Sequence, residues 1–133
     1  MKNIGLIGCG NIAETYFRSQ DYFNNIKFVA CADKYPEAAK KCADQYAIKS
    51  FSVDELLNDS NIDIILNLTI PQAHYEVSKL ALEAGKHVYS EKPMSIKFEE
   101  AKELLQIAKK NDLYFGNAPD TFLGGGGQTA RQL

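Results

Sequence analysis

The sequence predicts an α/β domain, a doubly wound parallel sheet of about six strands with helices on both faces. Three observations carry that prediction. Short apolar runs alternate with segments of helical periodicity along the whole chain. The first run, from Lys2, breaks into Gly8-Cys9-Gly10-Asn11-Ile12-Ala13, a glycine turn that opens a helix. The run Ile62 to Leu68 is β-branched with few polar breaks, the pattern of a strand buried on both faces. With 133 residues the chain fits one domain with a sizeable core.

Taken in order, the first helix is expected from Asn11 to about Gln20, and Ile26 to Ala32 reads as a second strand that ends on Asp33. Pro36, suited to a first helical turn, opens a helix with Ala39, Ala43 and Tyr46 on one face. Ile48 to Phe51 reads as an edge strand. Ser52-Val53-Asp54-Glu55 is a capping box that starts a brief helix through Leu57, and Asn58 to Asn61 turns the chain into the run Ile62 to Leu68. From Ala73 a helix shows Ala73, Val77, Leu80, Ala81 and Ala84 at helical spacing and stops at Gly85, which suits a left-handed cap. Lys86 to Ser90 is the next strand. A helix from about Ile96 to Asn111, with Ala101, Leu104, Leu105 and Ala108 facing inward, precedes a strand Leu113 to Gly116. Four glycines, Gly124 to Gly127, then read either as a flexible tail or as a loop opening another helix.

Composition narrows the partners. Lys plus Arg number 15 against 17 Asp plus Glu, interspersed, which suggests neither a nucleic-acid face nor a polybasic membrane patch. No apolar run reaches the roughly 18 residues of a bilayer span, and no signal-peptide pattern precedes the first strand, so a cytoplasmic protein with small-molecule ligands is expected. Cys9, Cys31 and Cys42 are an odd number without C-x-x-C spacing, which argues for reduced thiols and against a disulfide framework or a metal site.

A sheet of this kind binds ligands beyond the carboxyl ends of its strands, where the strand order reverses. The strand-end residues are then the functional map: Gly8 to Ile12, Asp33, Thr69-Ile70-Pro71, Glu91-Lys92-Pro93 and Asn117-Ala118-Pro119. Gly8 permits a sharp turn, Gly10 a close approach of backbone to a pyrophosphate, and Ala13 close helix packing. The N–H groups of Asn11 and Ile12, at the positive end of a helix dipole, suit a phosphate. A glycine turn alone marks only a turn; Asp33, at the end of the second strand, completes the pattern of a dinucleotide site. Its carboxylate would accept from ribose hydroxyls and repel a 2′-phosphate, favouring NAD over NADP, with Lys34 softening the preference.

These ordered motifs, Gly8 to Ala13, Asp33, Thr69-Ile70-Pro71 with His74, and Glu91-Lys92-Pro93, resemble the N-terminal half of the Gfo/Idh/MocA oxidoreductases. The resemblance covers essentially the whole chain, including Ala118 to Gly126. It implies a Rossmann domain over residues 1–120, with 121–133 opening a connection to a further domain, and a homo-oligomer as a possible state. It places Gly8, Gly10 and Ile12 at the pyrophosphate and Asp33 at the adenosine ribose. Thr69, Pro71 and His74 would line the path to the nicotinamide ribose, with Glu91 near it and Lys92 beside the reacting carbon of a sugar or polyol substrate. On this reading the 133 residues alone are a cofactor domain, not expected to turn over substrate. Two other functions compete: a nucleotide-binding regulator without catalysis, and a methyltransferase-like domain for S-adenosylmethionine, against which Glu91-Lys92-Pro93 speaks.

Overall fold

A computed structural model of the protein describes residues 1–118 and 125–132. Six strands, β1 (Lys2–Ile7), β2 (Ile26–Ala32), β3 (Lys49–Phe51), β4 (Ile64–Asn67), β5 (His87–Ser90) and β6 (Phe115–Asn117), form one sheet. Every pairing is parallel, and the order is β3-β2-β1-β4-β5-β6. The helices are α1 (Ala13–Ser19), α2 (Pro36–Tyr46), α3 (Val53–Asn58), α4 (Pro71–Glu83), α5 (Phe98–Lys110) and α6 (Gly125–Gln132).

Strand side chains alternate between two faces, and each face has its own core. Ile7, Ala32 and Ile65 pack with Leu56, Ala81, Leu82 and Leu104 of α3, α4 and α5. Ile4, Leu6, Phe28 and Leu66 pack with Ala13, Phe17, Cys42 and Ala43 of α1 and α2. A register shift between Ile4 and Gly5 skips Val29 on β2, so Phe28 and Cys31 both reach the α1–α2 face despite their odd separation. Phe17 stacks on Tyr46 at a centroid distance of 3.9 Å, which locks α1 to α2.

Local chemistry explains the element ends. The capping box forms as the spacing requires: the Ser52 hydroxyl accepts from the Glu55 N–H, and the Glu55 carboxylate accepts from the Ser52 N–H at 2.8 Å. Gly85 takes φ +76°, the left-handed stop after α4. Pro71 sits in the first turn of α4, so that helix begins two residues before the expected Ala73. Conversely α1 begins at Ala13, because Asn11 and Ile12 form a turn closed by Ala13 N–H donating to the Gly10 carbonyl at 3.1 Å.

One inward expectation fails: Leu105 is 50% exposed, and within the helical spacing of α4 Leu80 is 43% exposed and Ala84 is exposed. The buried stripe of α4 runs His74, Ser78, Ala81 and Leu82, and that of α5 runs Leu104 and Ala108. Leu80 and Leu105 each sit next to a stripe residue, about 100° around the helix, and so point to solvent. Of the glycine run, Gly125 to Gly127 lie in α6, the helix-opening alternative. Gly124 and the Pro119 to Leu123 stretch lie outside the described residues.

Candidate functional site

The strand order reverses between β1 and β4, the crevice position of an open parallel sheet. The ends of β1, β2, β4 and β5 converge there, and with them most of the sequence-derived residues. At the end of β1, Gly8 donates to the Ala32 carbonyl at 2.9 Å and turns with φ +102°. Its bare Cα lies against the β4–α4 connection: a Cβ there would stand 2.6 Å from the Leu68 carbonyl carbon. Gly10 is the opposite case, since a Cβ on it would meet nothing within 4 Å. The N–H groups of Asn11 and Ile12 have no acceptor among the described residues. The turn is therefore a cradle of unpaired donors with open space in front of it.

Asp33 tops β2, and its two oxygens divide their work. Oδ2 accepts from the Cys9 N–H at 2.7 Å and Oδ1 from the Tyr35 N–H at 2.9 Å. The carboxylate thus pins the glycine turn while its remaining lone pairs stay available, for an ionised carboxylate accepts about four hydrogen bonds.

Thr69, Ile70 and Pro71 cross from β4 to α4. Ile70 is 65% exposed and precedes the helix as its cap residue. Thr69 is held from below: its Oγ1 donates to Asn67 Oδ1 at 2.7 Å, and its N–H donates to the same oxygen at 3.2 Å. Asn67, fully buried, spends its amide N–H groups on the His74 carbonyl at 3.0 Å and Ser78 Oγ at 2.9 Å. Sequence reasoning passed over Asn67 and Ser78. The available signal was an amide at the end of an otherwise apolar run, which burial would force to find partners.

His74, expected to line the path toward the nicotinamide ribose, is 1% exposed, and both ring nitrogens meet backbone carbonyls, Nδ1 at 2.6 Å from Pro93 O and Nε2 at 2.8 Å from Thr69 O. From the buried stripe of α4 it braces the 69–71 loop against the turn after β5.

At the end of β5, Glu91 Oε1 accepts from Tyr16 OH at 2.7 Å, joining the crevice to α1. Lys92 follows with a cis peptide to Pro93, is exposed, and forms no ion pair or hydrogen bond through Nζ among the described residues. Glu91 and Lys92 border a cavity of about 620 Å³ that runs down the sheet past Tyr16, Leu66 and Tyr89. Asn117 Nδ2, at the end of β6, donates to the Ser90 and Glu91 carbonyls at 3.0 and 3.1 Å and steadies that turn.

The three cysteines, far apart in sequence, also meet at this end of the sheet, with sulfurs all within 4.8 Å of one another. Hydrogen bonding with Cys31 and burial push the Cys9 thiol up, burial pushes Cys42 up to about 11, and the hydrogen bond from Cys9 lowers Cys31.

Comparison with known proteins agrees with this geometry. Residues 2–118 match the family described as "Oxidoreductase family, NAD-binding Rossmann fold". The inositol 2-dehydrogenase/D-chiro-inositol 3-dehydrogenase of Lactiplantibacillus plantarum is 28% identical over 111 residues, 80% of this chain and 32% of that protein. An uncharacterized protein of Saccharomyces cerevisiae is 32% identical over 122 residues, 87% of this chain and 35% of that one. The chain therefore spans about a third of the length of these relatives. Biliverdin reductase of Synechocystis, solved with biliverdin and NADP+, is 29% identical with a TM-score of 0.86, over 98% of this chain and 42% of that chain. The WlbA dehydrogenase of Chromobactrium violaceum, solved with NADH and UDP-GlcNAcA, shares the fold with a TM-score of 0.92 at 24% identity, over 98% of this chain and 39% of that chain. No helix among the described residues is long and apolar enough to cross a membrane. A six-stranded parallel sheet, a glycine turn at its switch point and a family match over residues 2–118 lead to one conclusion: the chain belongs to the Gfo/Idh/MocA oxidoreductases and forms their NAD-binding Rossmann domain.

Proposed function

We propose that the crevice at the ends of β1, β2, β4 and β5 holds NAD so that an alcohol carbon of a sugar- or polyol-like substrate reacts beside Lys92. One observation carries the reading: an anion-ready glycine turn, a carboxylate at the next strand end and a lysine without an ion-pair partner among the described residues stand together where the strand order reverses.

The residues fit a dinucleotide. Open space at Gly10 and the unpaired N–H groups of Asn11 and Ile12 suit a pyrophosphate, and Asp33 suits the adenosine ribose. The same carboxylate repels a 2′-phosphate and so favours NAD, with NADP the weaker ligand. Thr69, Ile70 and Pro71 form the wall on the nicotinamide side, with Glu91 at its edge. When bound, the nicotinamide supplies hydride acceptance and donation. Lys92 Nζ, with no ion-paired carboxylate among the described residues, donates a hydrogen bond to the carbinol oxygen and stabilises the negative charge that develops there as the alcohol's proton leaves to solvent. The inositol dehydrogenase relative supports a polyol as substrate class. We assign residues 1–120 to cofactor binding and 121–133 to a connection toward the part that positions the substrate.

Calorimetry tests the first half: NAD binds the chain, NADP binds more weakly and S-adenosylmethionine does not. In the longest natural form of the protein, Lys92→Ala lowers polyol oxidation by roughly a hundredfold or more with little change in NAD affinity. Absence of NAD binding overturns the crevice assignment, and full activity of that variant removes Lys92 from the mechanism.

A further inference from the structure

We propose that Cys9, Cys31 and Cys42 form a three-thiolate site for a thiophilic d10 dication such as Zn2+, with water as the fourth ligand. The three residues come from the glycine turn, β2 and α2, yet their sulfurs lie within 4.8 Å of one another. Zinc–sulfur bonds of about 2.3 Å set sulfur–sulfur edges of roughly 3.8–4.0 Å, so small side-chain rotations close the triangle. Soft sulfur ligands select such an ion over the oxygen-seeking Mg2+ and Ca2+.

The surroundings supply what a metal site needs besides ligands. An entry path exists: a cavity of about 340 Å³ between α1 and α2 has Cys9 and Cys42 in its wall, with Glu14 and Lys41 at its border. Cys9 is partly exposed while Cys31 and Cys42 are buried, which leaves one coordination position facing the cavity, the arrangement of an open site. As thiols, Cys9 Sγ donates to the Ala32 carbonyl at 3.6 Å and Cys31 Sγ to the Ala39 carbonyl at 3.3 Å, bonds that are given up when the sulfurs ionise onto the metal. Binding exchanges three S–H bonds for three metal–sulfur bonds, M2+ + 3 RSH giving M(SR)3− + 3 H+, with no change in oxidation state.

The bound ion would tie the glycine turn to β2 and α2 and leave a net charge of −1 at the residue between Gly8 and Gly10. On the reading of that turn as the pyrophosphate site, metal and dinucleotide oppose each other, and each weakens the other by the same factor.

The test titrates Cd2+ alone into the metal-free chain, kept reduced by a phosphine, and follows the ultraviolet thiolate-to-metal charge-transfer band. The band should saturate at one ion per chain and be reversed by Zn2+. Cys9→Ser and Cys42→Ser, each checked for folding by circular dichroism, should bind at least tenfold more weakly. No saturable band at that stoichiometry, or unchanged affinity in either folded variant, overturns the site. A filled site should weaken NAD binding several-fold, and unchanged NAD affinity overturns the coupling. The charge-transfer titration contains no NAD, so its result stands whether or not the dinucleotide assignment does.

Discussion

Substituting Gly8 and Gly10, two residues apart in one turn, separates what the turn does for folding from what it does for a ligand. Gly8 has φ +102°, where an L side chain costs roughly 1–2 kcal/mol. An added Cβ would also stand 2.6, 2.7 and 2.8 Å from Leu68 C, Leu68 O and Thr69 N. Those atoms are backbone, and Leu68 N–H is bonded to the Ile7 carbonyl at 2.8 Å, so they cannot swing aside as a side chain could. Overpacking of that kind costs about 1–3 kcal/mol, which brings Gly8→Ala to about 2–5 kcal/mol. Against a typical total of about 5–15 kcal/mol this is a large loss. With a urea slope of about 1–3 kcal/mol per molar, the unfolding midpoint should fall by on the order of 1–3 M. A Cβ at Gly10 meets no neighbour within 4 Å and Gly10 has no left-handed φ, so the midpoint of Gly10→Val should stay near that of the unaltered chain while NAD binding is lost. The assay is urea unfolding by circular dichroism beside calorimetric NAD titration. A Gly8→Ala protein of undiminished stability, or a folded Gly10→Val protein that binds NAD normally, would refute the reasoning.

Three further outcomes are expected. Asp33→Ala should weaken NAD more than NADP, since it removes ribose acceptors together with the repulsion of a 2′-phosphate; the assignment fails if the unaltered chain already prefers NADP in calorimetry. His74→Phe keeps a ring but strips the ring nitrogens facing Thr69 O and Pro93 O, and should cost about 1–3 kcal/mol in urea unfolding; no loss would mean the ring is only filler. Asp63 accepts from the Lys2 ammonium at 2.7 Å and from the Asn3 N–H at 2.8 Å, contacts that hold its carboxyl below the usual value. A depressed folded pKa stabilises above the unfolded carboxylate value and is lost as pH falls through the folded one. Asp63→Asn should therefore flatten the acid limb of the stability profile, and parallel limbs in the two proteins would exclude this contribution.

The sequence by itself determined the elements and their alternation, because these depend on neighbours a few residues away. The capping box at Ser52, Pro36 opening α2, Gly85 closing α4 and the apolar run of β4 are local statements, and each is found where the spacing puts it. That the glycine turn, Asp33 and Lys92 follow strand ends was legible for the same reason, since strand ends follow from strands and a parallel sheet gathers its strand ends on one side. What only the tertiary structure decided depends on which face an element presents and what crosses over it. Leu80 and Leu105 fit a helical pattern but lie off the buried stripe. His74 stands at a helix start where a ligand contact was plausible, yet the rotation of α4 and the turn at Pro93 bury it as a brace. Asn67 and Ser78 support the Thr69 loop through bonds between elements that no spacing rule connects. Cys9, Cys31 and Cys42 show the limit most clearly. Their separations along the chain match no ligand motif, and only the pairing of β1 with β2 and the packing of α2 bring their sulfurs together.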